Sequence, residues 1–209
     1  KVEKISSEEK FPCIKVPGGQ PPRASLGYLF IPILGILSRL EFAPNFDLQR
    51  GIKESVELLS QMIENELKPE VEDENLAKEL ATSFYGKLPI IYASQELEAV
   101  ATRWKGQMCE NAKNMAYCNV FPEMNHNEIE GWNYPEELLK KLYVVALRDT
   151  DDHFMTKARM DITTELIKKY PDAIREVKSR GESLLARIFS LICIGDWTSF
   201  YLAMLNEID

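Results

Sequence analysis

The sequence predicts an α/β fold: a parallel sheet covered by helices on both faces and preceded by a helical stretch. Two observations carry that expectation. The apolar runs LPIIYAS (88–94) and LYVVAL (142–147) are continuous rather than alternating, as in strands buried on both sides. From residue 88 onward such runs take turns with helical patterns, the alternation that builds a parallel sheet.

Taken in order, residues 11–22 (FPCIKVPGGQPP) alternate briefly and then meet Pro17, Gly18, Gly19, Pro21 and Pro22, which reads as a strand end entering a tight loop. Ala24–Leu40 reads as an apolar helix bent at Pro32. Its 15 uncharged residues, Ala24 to Ser38, fall short of the ~20 that a membrane span needs, so a buried helix is expected. Leu48, Ile52, Val56, Leu59 and Ile63 then share one helical face, and Leu76, Leu80 and Phe84 another, with Lys68-Pro69 between. After the 88–94 strand, Leu97, Val100, Ala101, Trp104 and Met108 mark a long helix. Met115–Asn119 is expected as a second strand and Leu142–Leu147 as the clearest one. A helix from about Asp152 to Tyr170, a weaker strand at Ala173–Val177 and a helix from about Glu182 complete the chain. The reading divides it into 1–40, 41–87 as an acidic helical connector, and 88–209 as one α/β domain.

Composition narrows the function. Of 209 residues, 45% are apolar and 28% charged, which excludes collagen-like, disordered and disulfide-scaffold classes. A net charge of −8 disfavours a sequence-independent grip on nucleic acid. Residues 41–87 hold 11 acids and five bases, so most of that charge is one solvated region. Cys13, Cys109, Cys118 and Cys193 form no CxxC pair and there are only two histidines, which argues against structural zinc and for reduced thiols in a cytoplasm; the even count leaves disulfides open. No signal peptide is visible. Neither GxGxxG nor GxxxxGK[ST] occurs, so nucleotide and dinucleotide cofactors have no motif to rest on.

The richest polar patch is Cys109-Glu110-Asn111-Ala112-Lys113 followed by Phe121 to Glu128. Glu110 ends the long helix, and His126 lies in a loop with two asparagines and two glutamates. A carboxylate and an imidazole converging in one cleft suit proton transfer, since both can be poised near neutrality by their surroundings. Spacing alone equally allows a solvated helix end and a backbone-bonded histidine. His126, Glu128 and Glu123 could together hold a divalent ion, though they match no defined ligand motif.

The run ENAKNMAYCNVFPEMNHNEIEGW (110–132) resembles a segment of the bifunctional phosphoglucose/phosphomannose isomerases, sugar isomerase (SIS) fold proteins. VPGGQPPRASLGYLF (16–30), the LPIIYAS strand leading to Arg103-Trp104-Lys105, and IGDWTSFYLAML (194–205) agree with it in order, so the likeness extends over nearly the whole chain. The resemblance implies two three-layer α-β-α SIS domains per subunit, residues 1–40 being the end of the first and 88–209 the second. It implies a cytoplasmic homodimer with shared active sites, no cofactor and no metal, interconverting glucose 6-phosphate or mannose 6-phosphate with fructose 6-phosphate. By the same resemblance Glu110 moves the proton between C2 and C1, and His126, reaching from the neighbouring subunit, opens the ring. Arg23 stabilises the enediolate, and Thr198 leaves room for both C2 epimers. A fixed guanidinium suits an anionic intermediate, and a single carboxylate can remove and return one proton on one face. The alternative for Thr198 is a helix residue bonding back to its own carbonyls.

Three departures qualify the likeness. The Ser/Thr-rich phosphate cradle of the first domain has no counterpart here, relatives continue beyond Asp209, and Met204 and Leu205 stand where relatives carry a lysine. These imply a portion of a longer enzyme that alone binds sugar phosphate poorly. Arg103 and Lys113 are expected in structural ion pairs. The competing readings are a non-catalytic sugar-phosphate-binding SIS module and a helical partner-binding domain built on 41–87.

Overall fold

A computed structural model describes residues 2–42 and 44–208. The chain forms two compact units, one up to Gln49 and one from Arg50 onward.

The first unit contains α1 (Val2–Glu9), a 3-10 turn at Pro22–Ala24 and α2 (Leu26–Arg39). Residues 11–18 form no strand, contrary to the alternation seen there. Within this unit no other strand exists among the described residues to pair with them, and the clustered prolines cannot donate to a ladder. The apolar helix occurs as expected, with Pro32 inside it, but the expected burial does not. None of its residues is buried, and Leu29 and Ile33 are each about half exposed. A short α1 and a stretch of coil supply too little surface to cover a 14-residue apolar helix.

The second unit runs α3 (Leu48–Met62, its last turns widening into a π-helix at Ile63–Leu67), α4 (Leu76–Phe84), β1 (Leu88–Ser94) and α5 (Glu98–Glu110). It continues with β2 (Tyr117–Phe121), the single turns α6 (Glu128–Gly131) and α7 (Glu136–Leu139), and β3 (Leu142–Arg148). α8 (Phe154–Ile167), β4 (Ala173–Lys178) and α9 (Leu184–Leu205) close it. The four strands are all parallel, in the order β2-β1-β3-β4. The second strand lies two residues later than expected. Lys113 takes a left-handed backbone after α5, Met115 stays in solvent, and pairing with β1 begins only at Tyr117.

Residue parity divides the core. Ile91 and Ala93 of β1, Tyr143, Val145 and Leu147 of β3 and Val177 of β4 face one side, packed by α4, α5 and α9 through Phe84, Trp104, Met108, Leu191 and Leu202. Ile90 and Tyr92, with Phe121, Val144 and Ala146, face the other and meet Met124, Trp132, Met160 and Ile167. The result is the three-layer α-β-α architecture. Met62, Leu67, Ala77 and Leu80 of the acidic region also lie in the first of these cores. Met62, Leu67 and Leu80 each contribute roughly 1.5–3 kcal/mol relative to exposure.

α9 has the length and apolarity of a membrane span, yet twelve of its 22 residues are buried, Arg187 among them. Its hydrophobicity is that of a core helix. All four cysteines are free thiols, and burial, with Asp196 next, pushes the Cys193 thiol up to about 12.

Candidate active site at the end of α5

Glu110 is the last residue of α5 and its side chain is exposed. The helix end beneath it is fixed to α9 at several points. Arg103 donates from Nε (3.1 Å) and Nη2 (2.7 Å) to the two carboxylate oxygens of Asp196, and Gln107 donates to Asp196 Oδ1 at 2.9 Å. The Trp104 indole N–H donates to the Leu191 carbonyl at 2.8 Å. Past the helix end, Asn111 Nδ2 donates to Ser199 Oγ (3.0 Å) and Asn206 Nδ2 to the Ala112 carbonyl (2.9 Å). Burial raises the Asp196 carboxyl above its ordinary value, and the bonds from Arg103 and Gln107 act against that without cancelling it. Lys113 Nζ closes back on the Glu110 carbonyl. Arg103 forms the structural ion pair that the sequence suggested, and Lys113 serves the same helix end through a backbone carbonyl instead of a carboxylate.

Thr198 lies on α9, close to Asp196 and next to Ser199. It is fully buried, and its hydroxyl donates to the Ile194 carbonyl at 2.7 Å. Glu110 and Thr198 therefore belong to one helix pair on one face of the sheet.

His126 belongs to the other face. β2 ends at Phe121, a cis Phe121–Pro122 bond leads into a 3-10 turn (Glu123–Asn125), and His126 follows with its side chain exposed. Met124 before it is fully buried in the second core, and Asn125 Nδ2 donates to Thr163 Oγ1 of α8 at 2.8 Å. The Glu128 carboxylate after it accepts hydrogen bonds from Tyr92, from Tyr117 (2.9 Å) and from Asn119. Trp132 donates to the Tyr92 hydroxyl at 3.1 Å. A cavity of about 270 Å³ opens beside this cluster, lined by Ile90, Tyr92, Tyr117, Glu128, Trp132 and Leu139. Met108 and Ala112 on either side of Glu110 pack in the first core and Met124 before His126 packs in the second, so the two residues stand on elements of opposite faces of the sheet.

Arg23 lies in the 3-10 turn of the first unit and is partly buried. Among the described residues no group of three or more His, Cys, Asp or Glu side chains is arranged to hold a metal ion. The carboxylate hub has no local signature in the sequence, where Glu128 stands out only as a metal ligand candidate, because the tyrosines that bind it arrive through strand pairing and not through local spacing.

The family model described as the bacterial phospho-glucose isomerase C-terminal SIS domain matches residues 73–209, which takes in α4 as well as the sheet. A bifunctional phosphoglucose/phosphomannose isomerase of Caldicellulosiruptor bescii is 46% identical over 211 residues, covering 100% of this chain and 61% of that protein. The protein of the same name from Aquifex aeolicus is 34% identical, covering 100% of this chain and 60% of its own length. The chain thus spans about 60% of these curated relatives. Among solved structures, a glucose-6-phosphate isomerase like protein from Thermus thermophilus superposes with a TM-score of 0.66 at 24% identity, covering 78% of this chain and 54% of that one, which shows the fold.

Proposed function

The chain belongs to the family of bacterial phospho-glucose isomerase C-terminal SIS domains, and on that premise we propose that it forms part of a cytoplasmic aldose–ketose isomerase. The substrates are glucose 6-phosphate or mannose 6-phosphate and fructose 6-phosphate, and the working form is a homodimer. The geometry around Glu110 carries the reading. Its carboxylate is presented to solvent from a helix end that five side chains tie to α9 and the residue after it, as a base that must hold its place over a substrate.

In this reading Glu110 takes the C2 proton of the open-chain aldose while C1–O1 becomes an enediolate oxygen. The proton on O2 moves to O1, and Glu110 returns its own proton to C1. Arg23 stabilises the anionic intermediate. The placement of Glu110 and His126 on opposite faces supports a site completed by His126 of a neighbouring subunit, which opens the sugar ring. Thr198 acts by being small behind the site, its hydroxyl being committed to Ile194.

The second reading, a sugar-phosphate-binding SIS module without catalysis, is favoured by the full burial of that same Thr198. Glu110→Gln in the protein that carries this chain separates the two. Solvent-hydrogen exchange and turnover of fructose 6-phosphate should vanish while ligand affinity survives. Equal loss of affinity and exchange would assign Glu110 a structural role and remove the isomerase reading.

A further inference from the structure

We propose that Glu128 is a positioning residue for His126, holding the imidazole in the place from which it opens the sugar ring; the inference rests on the reading of His126 given above. Residues 126 and 127 are exposed, but their neighbours on both sides are tied down. Upstream, Met124 is fully buried and Asn125 is bonded to Thr163. Downstream the nearest attachment is one carboxylate, with Ile129 and Trp132 packed on the second core after it. Glu128 Oε1 accepts from Tyr92, and Oε2 accepts from Tyr117 and Asn119.

Two of the three donors are fixed in their turn. Tyr92 is 1% exposed, accepts from the Trp132 indole, and packs edge-on against Phe121 and Trp132. Asn119 Oδ1 accepts the Val120 N–H at 2.8 Å. Burial first, and the Glu128 carboxylate after it, push the Tyr117 hydroxyl up to about 12 and the Tyr92 hydroxyl well above its ordinary range, so both phenols remain donors throughout the working pH range. A carboxylate accepts from all three without a donor of its own. A glutamine would turn an amide toward the Tyr92 oxygen, already taken by Trp132, or toward the Asn119 amide. Shape alone therefore does not explain the acid two residues past His126.

The test uses the protein that carries this chain and two substrates: fructose 6-phosphate, which is mostly cyclic, and a ketohexose 6-phosphate lacking the C5 hydroxyl, which cannot close. His126→Ala should slow the cyclic substrate and spare the open one. Glu128→Ala should do the same, by about 10- to 100-fold in kcat with KM little changed. The double variant should be no slower than His126→Ala alone. Glu128→Gln should fall between Glu128→Ala and the wild type. Tyr117→Phe, which removes one donor, should show the smallest effect of the same kind and serves if Glu128→Ala does not fold. Equal slowing of both substrates by the Glu128 variants, or multiplying effects in the double variant, would overturn the proposal and leave the His126 reading standing. Equal slowing of both substrates by His126→Ala would remove that reading, and this one with it.

Discussion

The backbone of α9 at Gly195 lies directly against the indole of Trp104. A β-carbon at Gly195 would come within 2.4 Å of Trp104 Nε1, the atom that donates to the Leu191 carbonyl one turn earlier on α9. Trp104 is fully buried, so the ring has nowhere to retreat. The absence of a side chain at this position lets α5 and α9 approach closely enough for Arg103, Gln107 and Asn111 to reach across.

Gly195→Ala should therefore destabilise the protein by about 1–3 kcal/mol through overpacking, although alanine is the better helix former. The midpoint of urea denaturation measures it. A shift no larger than the ~0.5 kcal/mol typical of surface changes would show that the contact is looser than the geometry states.

Arg103→Lys tests the second tie between the same helices. The guanidinium meets both oxygens of Asp196, and a lysine ammonium can reproduce only one of those contacts. The pair is partly exposed, so the expected loss is modest, roughly 1–2 kcal/mol. Because Glu110 stands two turns further along α5, kcat should fall with KM little changed. Unchanged kcat in a destabilised variant would separate the clamp from the chemistry.

The strands were legible in the sequence where both faces are covered. LPIIYAS and LYVVAL are continuous apolar runs because parity sends Ile90 and Tyr92 into one core and Ile91 and Ala93 into the other. β2 starts later than the sequence suggests because Met115 and Ala116 look like strand residues, whereas the left-handed turn at Lys113 delays pairing. α6 and α7 are single turns, too short to show a helical period. The helical character of α2 could be read from its composition, but its burial could not, since that depends on what surface is offered to it. For the site, Glu110 at a helix end and His126 in a loop followed from local pattern and family resemblance. That their elements pack on opposite faces of the sheet, and that Glu128 gathers three donors, depends on which strands pair, which no local spacing encodes.

Acid should weaken the protein partly through Glu54. From α3 its carboxylate accepts the backbone N–H of Glu182 and, at 3.0 Å, that of Ser183, at the start of α9. These bonds, Glu182's first, hold its pKa below the ordinary 4.5. The unfolded chain therefore takes up the proton at a higher pH than the folded one. The contribution is whole above 4.5 and is lost as pH falls through the lowered folded value. Glu54→Gln should be less stable than wild type near neutral pH, and the gap should close in acid as the wild-type carboxyl itself becomes neutral. Urea denaturation of both proteins across that range decides it; a gap independent of pH would mean that the carboxylate charge is not what supports α9.

Thr198→Val asks whether that residue acts through its size or its hydroxyl. The two side chains are nearly equal in volume, and the hydroxyl in the fold is spent on the Ile194 carbonyl, which the helix already satisfies through its own i to i+4 bond. Removing it should cost the fold little, about 1 kcal/mol or less. If Thr198 serves by leaving space, the ratio of glucose 6-phosphate to mannose 6-phosphate turnover should stay within about twofold of wild type, since an unchanged outline gives no new discrimination between epimers. A change of about tenfold or more would mean that the hydroxyl leaves Ile194 to bond the sugar. The buried geometry of Thr198 would then have to open during the reaction, and the helix pair bearing Glu110 with it.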